Sequence, residues 1–150
     1  MNHPISIEPT LAILQDDEIR RLCLDAGADD CGAISVRRPE LAQELGDILL
    51  AFPQAQTLLT FVVRMNPDGI RSPMRSVANL EFAHAGNETD EVTRRIVASL
   101  RARNLRGINP ALGFPMEMDR FPDKVWVISL KHAAEAAGLG KMRLNALRIE

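Results

Sequence analysis

The chain contains no tyrosine, and aromatic residues of every kind make up only 4% of its 150 residues. Arginines without nearby aromatic rings lack the stacking platforms on which single-stranded nucleic acid is held. A formal net charge of −2 supplies no long-range attraction to nucleic acid or to an anionic membrane. Neither is expected as a partner. The two cysteines, Cys23 and Cys31, are too few to close a tetrahedral zinc site or to hold an iron–sulfur cluster. They imply no disulfide framework either, and both read as buried, reduced, small hydrophobes. Apolar runs are short. Leu58-Leu59-Thr60-Phe61-Val62-Val63 falls far below the roughly 20 residues that span a bilayer. Met1-Asn2-His3-Pro4 has neither the basic start nor the apolar stretch of a secretory signal, so a cytoplasmic protein is expected.

What is present is an ordinary globular balance, 46% hydrophobic and 25% charged, in a length that suits one domain over residues 1–150. From Asp16 the apolar positions Ile19, Leu22, Cys23 and Ala26 repeat at helical spacing. The acids Asp16, Asp17 and Glu18 suit the positive end of the helix dipole, and Gly27 supplies a stop. Cys31–Val36 predicts a short strand. Pro39 opens a second helix carrying Leu41, Leu45, Ile48, Leu49 and Phe52 on one face. Thr57–Val63 is nearly continuous in apolar residues, the pattern of a central strand covered on both faces. Turn residues predict a loop over Met65–Pro73.

A long helix is expected from about Ser76 to Asn104, with a break near Gly86-Asn87. In its second part Val92, Ile96, Val97 and Leu100 form an apolar stripe. If that part begins at Asp90 and Glu91, its charge order suits the dipole, and Arg94, Arg95, Arg101, Arg103 and Arg106 require no anionic partner. Leu105–Ile108 and Lys124–Ile128 are further strand candidates, and 109–122 looks irregular. Alternation of helices and strands predicts an α/β fold, a mixed sheet with helices on both faces.

Near the C-terminus, Ser129 is placed to cap an alanine-rich helix that runs into Gly138. Four alanines in the nine residues Ser129–Ala137 keep that helix slim, so another backbone or a flat ligand can approach it. Gly138 suits a left-handed helix stop with Leu139 folding back, and Gly140 leaves room for close approach. A well-made helix stop packed on the sheet accounts for this pattern more readily than a ligand site does, since a short Gly-x-Gly is a weak signal. The histidines His3, His84 and His132 are scattered. His132 reads as a partly exposed helix residue, and no set of metal ligands or nucleophile elbow is evident.

The segment Leu130-Lys131-His132-Ala133-Ala134 through Ala137-Gly138-Leu139-Gly140-Lys141-Met142 resembles a motif of the epoxyqueuosine reductase and reductive dehalogenase superfamily. It is closer still to the related corrinoid-type ferredoxins. Gly27–Ala33 resembles the family's first helix-to-strand junction. Phe52–Leu59 resembles its second strand, and Glu91–Arg106 fills the place of its long helix. The resemblance implies a nitroreductase-like domain that holds cobalamin, followed in relatives by a ferredoxin domain with two iron–sulfur clusters. It implies Ala137, Gly138, Leu139, Gly140 and Lys141, with Asn145, as the cofactor-side residues. Catalytic residues are not assigned.

The chain departs from the family pattern in four places. Arg143-Leu144-Asn145-Ala146 stands where the family has Gly-x-Asn-Gly, and an arginine does not enter a left-handed turn as freely as glycine. Asn87-Glu88-Thr89-Asp90 replaces a polar-Tyr-His group. The family's acidic proton donor corresponds to Asp123 one residue out of register. Ile149-Glu150 ends the sequence where relatives continue into cysteine-rich sequence.

The expectation is therefore a truncated or degenerate cobalamin-binding domain without its own iron–sulfur cluster. Its partners would be a corrinoid, a second copy of the chain, or a separate ferredoxin. The alternatives are a non-catalytic dimerisation or protein-interaction domain whose pocket Arg143 closes, and a flavin-dependent nitroreductase-like enzyme.

Overall fold

The computed structural model describes residues 14–110, 116–117, 119–120, 122–123, 127–143 and 146–148. Helix α1 spans Asp16–Asp25, and Glu18 accepts from the Gln15 backbone N–H at 2.9 Å at its start. Strand β1 (Asp30–Ser35) follows, then a 3₁₀ turn at Pro39–Leu41 and helix α2 (Leu45–Ala51). The single helix expected from Pro39 is thus split in two. At the join, Glu44 is turned inward with only 13% of its side chain exposed. Strand β2 (Thr57–Val62) returns antiparallel to β1, pairing Cys31 with Phe61 and Ser35 with Thr57. One backbone bond beyond each end extends the ladder, Asp29 N–H to Val62 O and Val36 N–H to Gln56 O.

Both faces of β2 meet apolar neighbours, as its near-continuous pattern implies. Leu59, Phe61 and Val63 pack on the cluster Leu22, Cys23, Ala26, Ala28, Cys31, Val92 and Ile96, whereas Leu58 packs on Val36, Ile48, Val127 and Ile128. Opposite faces for odd and even residues follow from the period of two. Among the described residues, however, β2 pairs only with β1, so it is one member of a two-stranded ribbon rather than the centre of a wide sheet.

The expected loop at 65–73 contains one helical turn, α3 (Pro67–Ile70). Asn66 accepts from the Asp68 N–H at 3.0 Å and Pro67 holds the first helical position. Helix α4 then runs unbroken through Arg75–Ala102, across Gly86-Asn87. Asp90 and Glu91 therefore lie mid-helix rather than at its start, and the first turn carries Arg75 and no acid. Leu105–Ile108 forms no strand. The Lys124–Ile128 candidate falls mostly outside the described residues, and its last two members, Val127 and Ile128, form a buried bend. Helix α5 (Leu130–Ala136) is followed by an antiparallel hairpin of β3 (Lys141–Arg143) and β4 (Ala146–Arg148), which the sequence pattern did not suggest. The architecture is mixed α/β.

Three helices end by the same device. At α1, Gly27 N–H bonds Leu24 O and Ala28 N–H bonds Cys23 O. At α4, Asn104 N–H bonds Arg101 O and Leu105 N–H bonds Leu100 O. At α5, Gly138 N–H bonds Glu135 O and Leu139 N–H bonds Ala134 O. Gly27, Asn104 and Gly138 each hold a positive φ, of 108°, 59° and 78°. This is the paired-bond stop in which glycine or asparagine takes the left-handed position. Arg95 adds to the first of these by donating to the Ala26 carbonyl at 3.2 Å.

Candidate functional site

Helix α5 begins where Ser129 accepts from the His132 N–H at 3.4 Å. Its buried face consists of Ala133 and Ala134, packed toward β2 and the 3₁₀ turn. The slimness of the helix serves contact with the protein's own backbone. A Cβ added to Gly32 of β1 would stand 2.8 Å from both the Cβ and the carbonyl oxygen of Ala137. Gly32 and the alanine at the helix end are therefore a matched small pair.

The other side of the turn differs. Gly138 is exposed, and a Cβ built on it meets nothing within 4 Å. Leu139, immediately after it, is buried at 7% exposure and anchors the turn. Gly140 is half-buried and Lys141 is exposed. Of the candidate cofactor-side residues, Ala137 thus faces the strand, Leu139 faces the core, and Gly138 and Lys141 face outward. Asn145 lies outside the described residues. Arg143 is an extended residue of β3 paired with Ala146, so the left-handed strain expected at that position does not arise.

His132 is exposed and its Nδ1 lies 3.1 Å from Glu44 Oε1. Glu44 Oε2 is buried with no hydrogen-bond partner among the described residues. A buried carboxylate oxygen left unpaired carries a desolvation cost of about 1–3 kcal/mol or more, so this acceptor is suited to a donor from outside the described residues. Neither the periodicity nor the motif pointed to Glu44. The one available signal is a charged residue between two apolar stretches of an otherwise helical run.

Cys23 and Cys31 meet within the first core cluster, free and buried. Burial first, then the hydrogen bond with Cys31, pushes the Cys23 thiol up to about 12. That value makes it a packing residue, since the thiolate is the reactive form. Asp123, placed by resemblance near a proton donor, is exposed in a turn with φ 58°. Aspartate is among the residues that tolerate that region. Among the described residues, no group of three or more His, Cys, Asp or Glu side chains is arranged to hold a metal ion. An open groove of about 400 Å³ lies at the C-terminal end of α4, lined by Phe52, Arg101, Asn104, Leu105, Arg106 and Ile108, among others. Arg106 is already engaged there, stacked 5.1 Å above the Phe52 ring and bonded to Gln54. No described helix is long and apolar enough to cross a membrane.

No family model, curated protein or solved structure matches this chain.

Proposed function

We propose that the domain is a corrinoid-binding module of nitroreductase-like type, related to the redox proteins its C-terminal motif resembles and not catalytically self-sufficient. The observation that carries this reading is the two-sided turn at Ala137–Lys141. One side is seated on Gly32 and Leu139. The other presents the backbone of Gly138 to open space, beside the exposed Lys141. A glycine turn held rigidly from behind and bare in front suits close approach of a large flat ring. Glu44 Oε2, buried and without a hydrogen-bond partner among the described residues, adds an acceptor suited to peripheral amide donors. A bound corrinoid supplies cobalt redox chemistry; the chain's own residues hold and orient it.

The test is titration with cobalamin, followed by visible absorbance and thermal melting. A spectral change, with a melting temperature that climbs with cobalamin concentration, is expected. Gly138→Asn, which adds a side chain on the open side yet tolerates the left-handed φ of 78°, is expected to weaken both responses while the protein stays folded. A folded protein that ignores cobalamin sinks the reading, and a response to flavin alone replaces it with the flavin class.

A second reading is a non-catalytic interaction domain. It is favoured by the apolar residues left uncovered along the first half of α4: Val77 is 40% exposed, Leu80 56% and Phe82 71%.

A further inference from the structure

We infer that residues 75–93 of α4 form a self-complementary surface that pairs antiparallel with the same segment of a second copy, centred on Phe82. This inference does not depend on the corrinoid reading; it rests on the interaction reading and gives it a partner.

Positions 75, 78, 82, 86, 89 and 93 follow one another at three- and four-residue spacing and so share one face of the helix. The residues are Arg75, Ala78, Phe82, Gly86, Thr89 and Thr93. Their spacing is symmetric about Phe82: Ala78 and Gly86 stand four before and four after it, Arg75 and Thr89 seven before and seven after. A two-fold axis through an interface brings each residue against its mirror position in the partner. Phe82 then meets Phe82, Ala78 meets Gly86, and Arg75 meets Thr89 between Glu88 and Asp90.

The chemistry of the face fits that arrangement. Phe82 is 71% exposed, with small residues one turn to either side, and a Cβ at Gly86 meets nothing within 4 Å. A large residue between two small ones suits two helices packing closely. The threonine hydroxyls are spent on their own helix, Thr89 donating to Ala85 O at 2.8 Å and Thr93 to Thr89 O at 2.9 Å. Both threonines, like Ala78, are half-buried, and Phe82 is the residue that stands out from the face.

Charge selects the direction. Arg75 lies at one end of the face and Glu88 and Asp90 flank Thr89 at the other, while Glu91 points to the opposite side of the helix and pairs with Arg94 at 3.7 Å. Antiparallel pairing joins opposite charges at both ends, whereas parallel pairing sets like against like. The same pairing answers a local anomaly. Arg75 occupies the first turn of α4, where no acid accompanies it and the helix dipole disfavours a cation. A carboxylate of a second copy compensates it there.

The experiment is sedimentation equilibrium of the full chain over a concentration series. Reversible dimerisation in the micromolar range is expected. Phe82→Glu is expected to weaken it by about a hundredfold or more, as loss of a central anchor does. Arg75→Glu is expected to weaken it by roughly tenfold, since each exposed pair occurs twice, while raising the melting temperature of the monomer by relieving the dipole. Combining Arg75→Glu with Glu88→Lys and Asp90→Lys is expected to restore association.

A wild-type protein that stays monomeric overturns the proposal, as does a dimer indifferent to Phe82→Glu and Arg75→Glu. In a monomer, a hydrophobic dye separates two causes. Dye binding lost in Phe82→Glu leaves the face open to another partner, so that self-pairing fails and the interaction reading stands. No dye binding, with Phe82→Glu lowering the melting temperature, means that the chain's own residues cover the face, and both fail.

Discussion

The two halves of α4 belong to one continuous helix, yet among the described residues only the second enters a buried cluster, while the first meets the short helix α3. Val92 is fully buried and Ile96 is 4% exposed, while no residue from 75 to 91 is buried. Local preference does not explain the continuity, because Gly86 sits inside the helix at a cost of about 1 kcal/mol relative to alanine. Cooperativity does. Residues 92–102 are held helical by packing against α1 and β1, and each residue added outward from there gains a backbone bond without a new nucleation cost. A helix therefore extends past the core that anchors it, and being helical is no sign of being buried.

The largest effects that would sharpen this contrast are core truncations. Ile96→Ala is expected to cost about 3 kcal/mol in a urea titration, the range for buried aliphatic residues. Phe82→Ala, measured at dilution where chains are separate, is expected to change stability by no more than about 0.5 kcal/mol. Similar losses at the two positions would show that the first half has a core of its own.

The core beneath residues 92–102 also holds Cys23, whose thiol is pushed up to about 12 from an ordinary 9.0 by burial and by its bond with Cys31. The unfolded chain loses that proton near 9, and the folded chain keeps it to about 12. The folded state therefore binds the extra proton throughout that window, and stability falls as pH rises through it. The contribution is complete below about 9. The decline attributable to this one group approaches about 1.4 kcal/mol per pH unit within the window. Cys23→Ala is expected to flatten that alkaline slope in denaturation curves taken from pH 8 to 11, about the range of the shift. No phenol interferes, since the chain has no tyrosine. An unchanged slope would mean that Cys23 is not sealed in the core.

The smallest effect has the opposite sign. Gly86→Ala places its new Cβ in open space on an exposed helix, and a gain of about 0.5–1 kcal/mol is expected at dilution. Gly27→Ala is expected to lose stability, because Gly27 has φ 108° and a Cβ there would meet Val92 Cγ2 at 3.3 Å. A loss at Gly86 as well would reveal a neighbour pressed against the first half of α4.

Much of the local structure was legible because it follows from local chemistry. The stops at Gly27 and Gly138 rest on a left-handed residue, and both were readable from glycine's position after an apolar run. The strands at 30–35 and 57–62 were legible from their apolar content, though their pairing was not. The turn of α3 was readable in principle from Asn66-Pro67, a cap followed by a residue with its φ already set. It was obscured by Asp68-Gly69, which also makes turns.

The candidate site divides in the same way. Ala137, Gly138 and Leu139 stood out as a helix stop, and the structure places them as one. Which side of that stop is open depended on Gly32, a hundred residues earlier in the chain. Glu44 left no local trace, because its burial beside His132 arises only when α5 packs against the 3₁₀ turn.

The sequence by itself determined the starts and stops of most helices, the apolar faces of α1 and β2, and the small residues that let α5 lie close to its support. These depend on the few residues on either side of a position. The tertiary structure alone decided that α4 is unbroken, that β1 and β2 pair as an antiparallel ribbon, and that Glu44 turns inward. It also decided that Gly138 faces outward while Ala137 meets Gly32. Each of these depends on which distant segment arrives at a surface, and periodicity identifies a face without naming what will cover it.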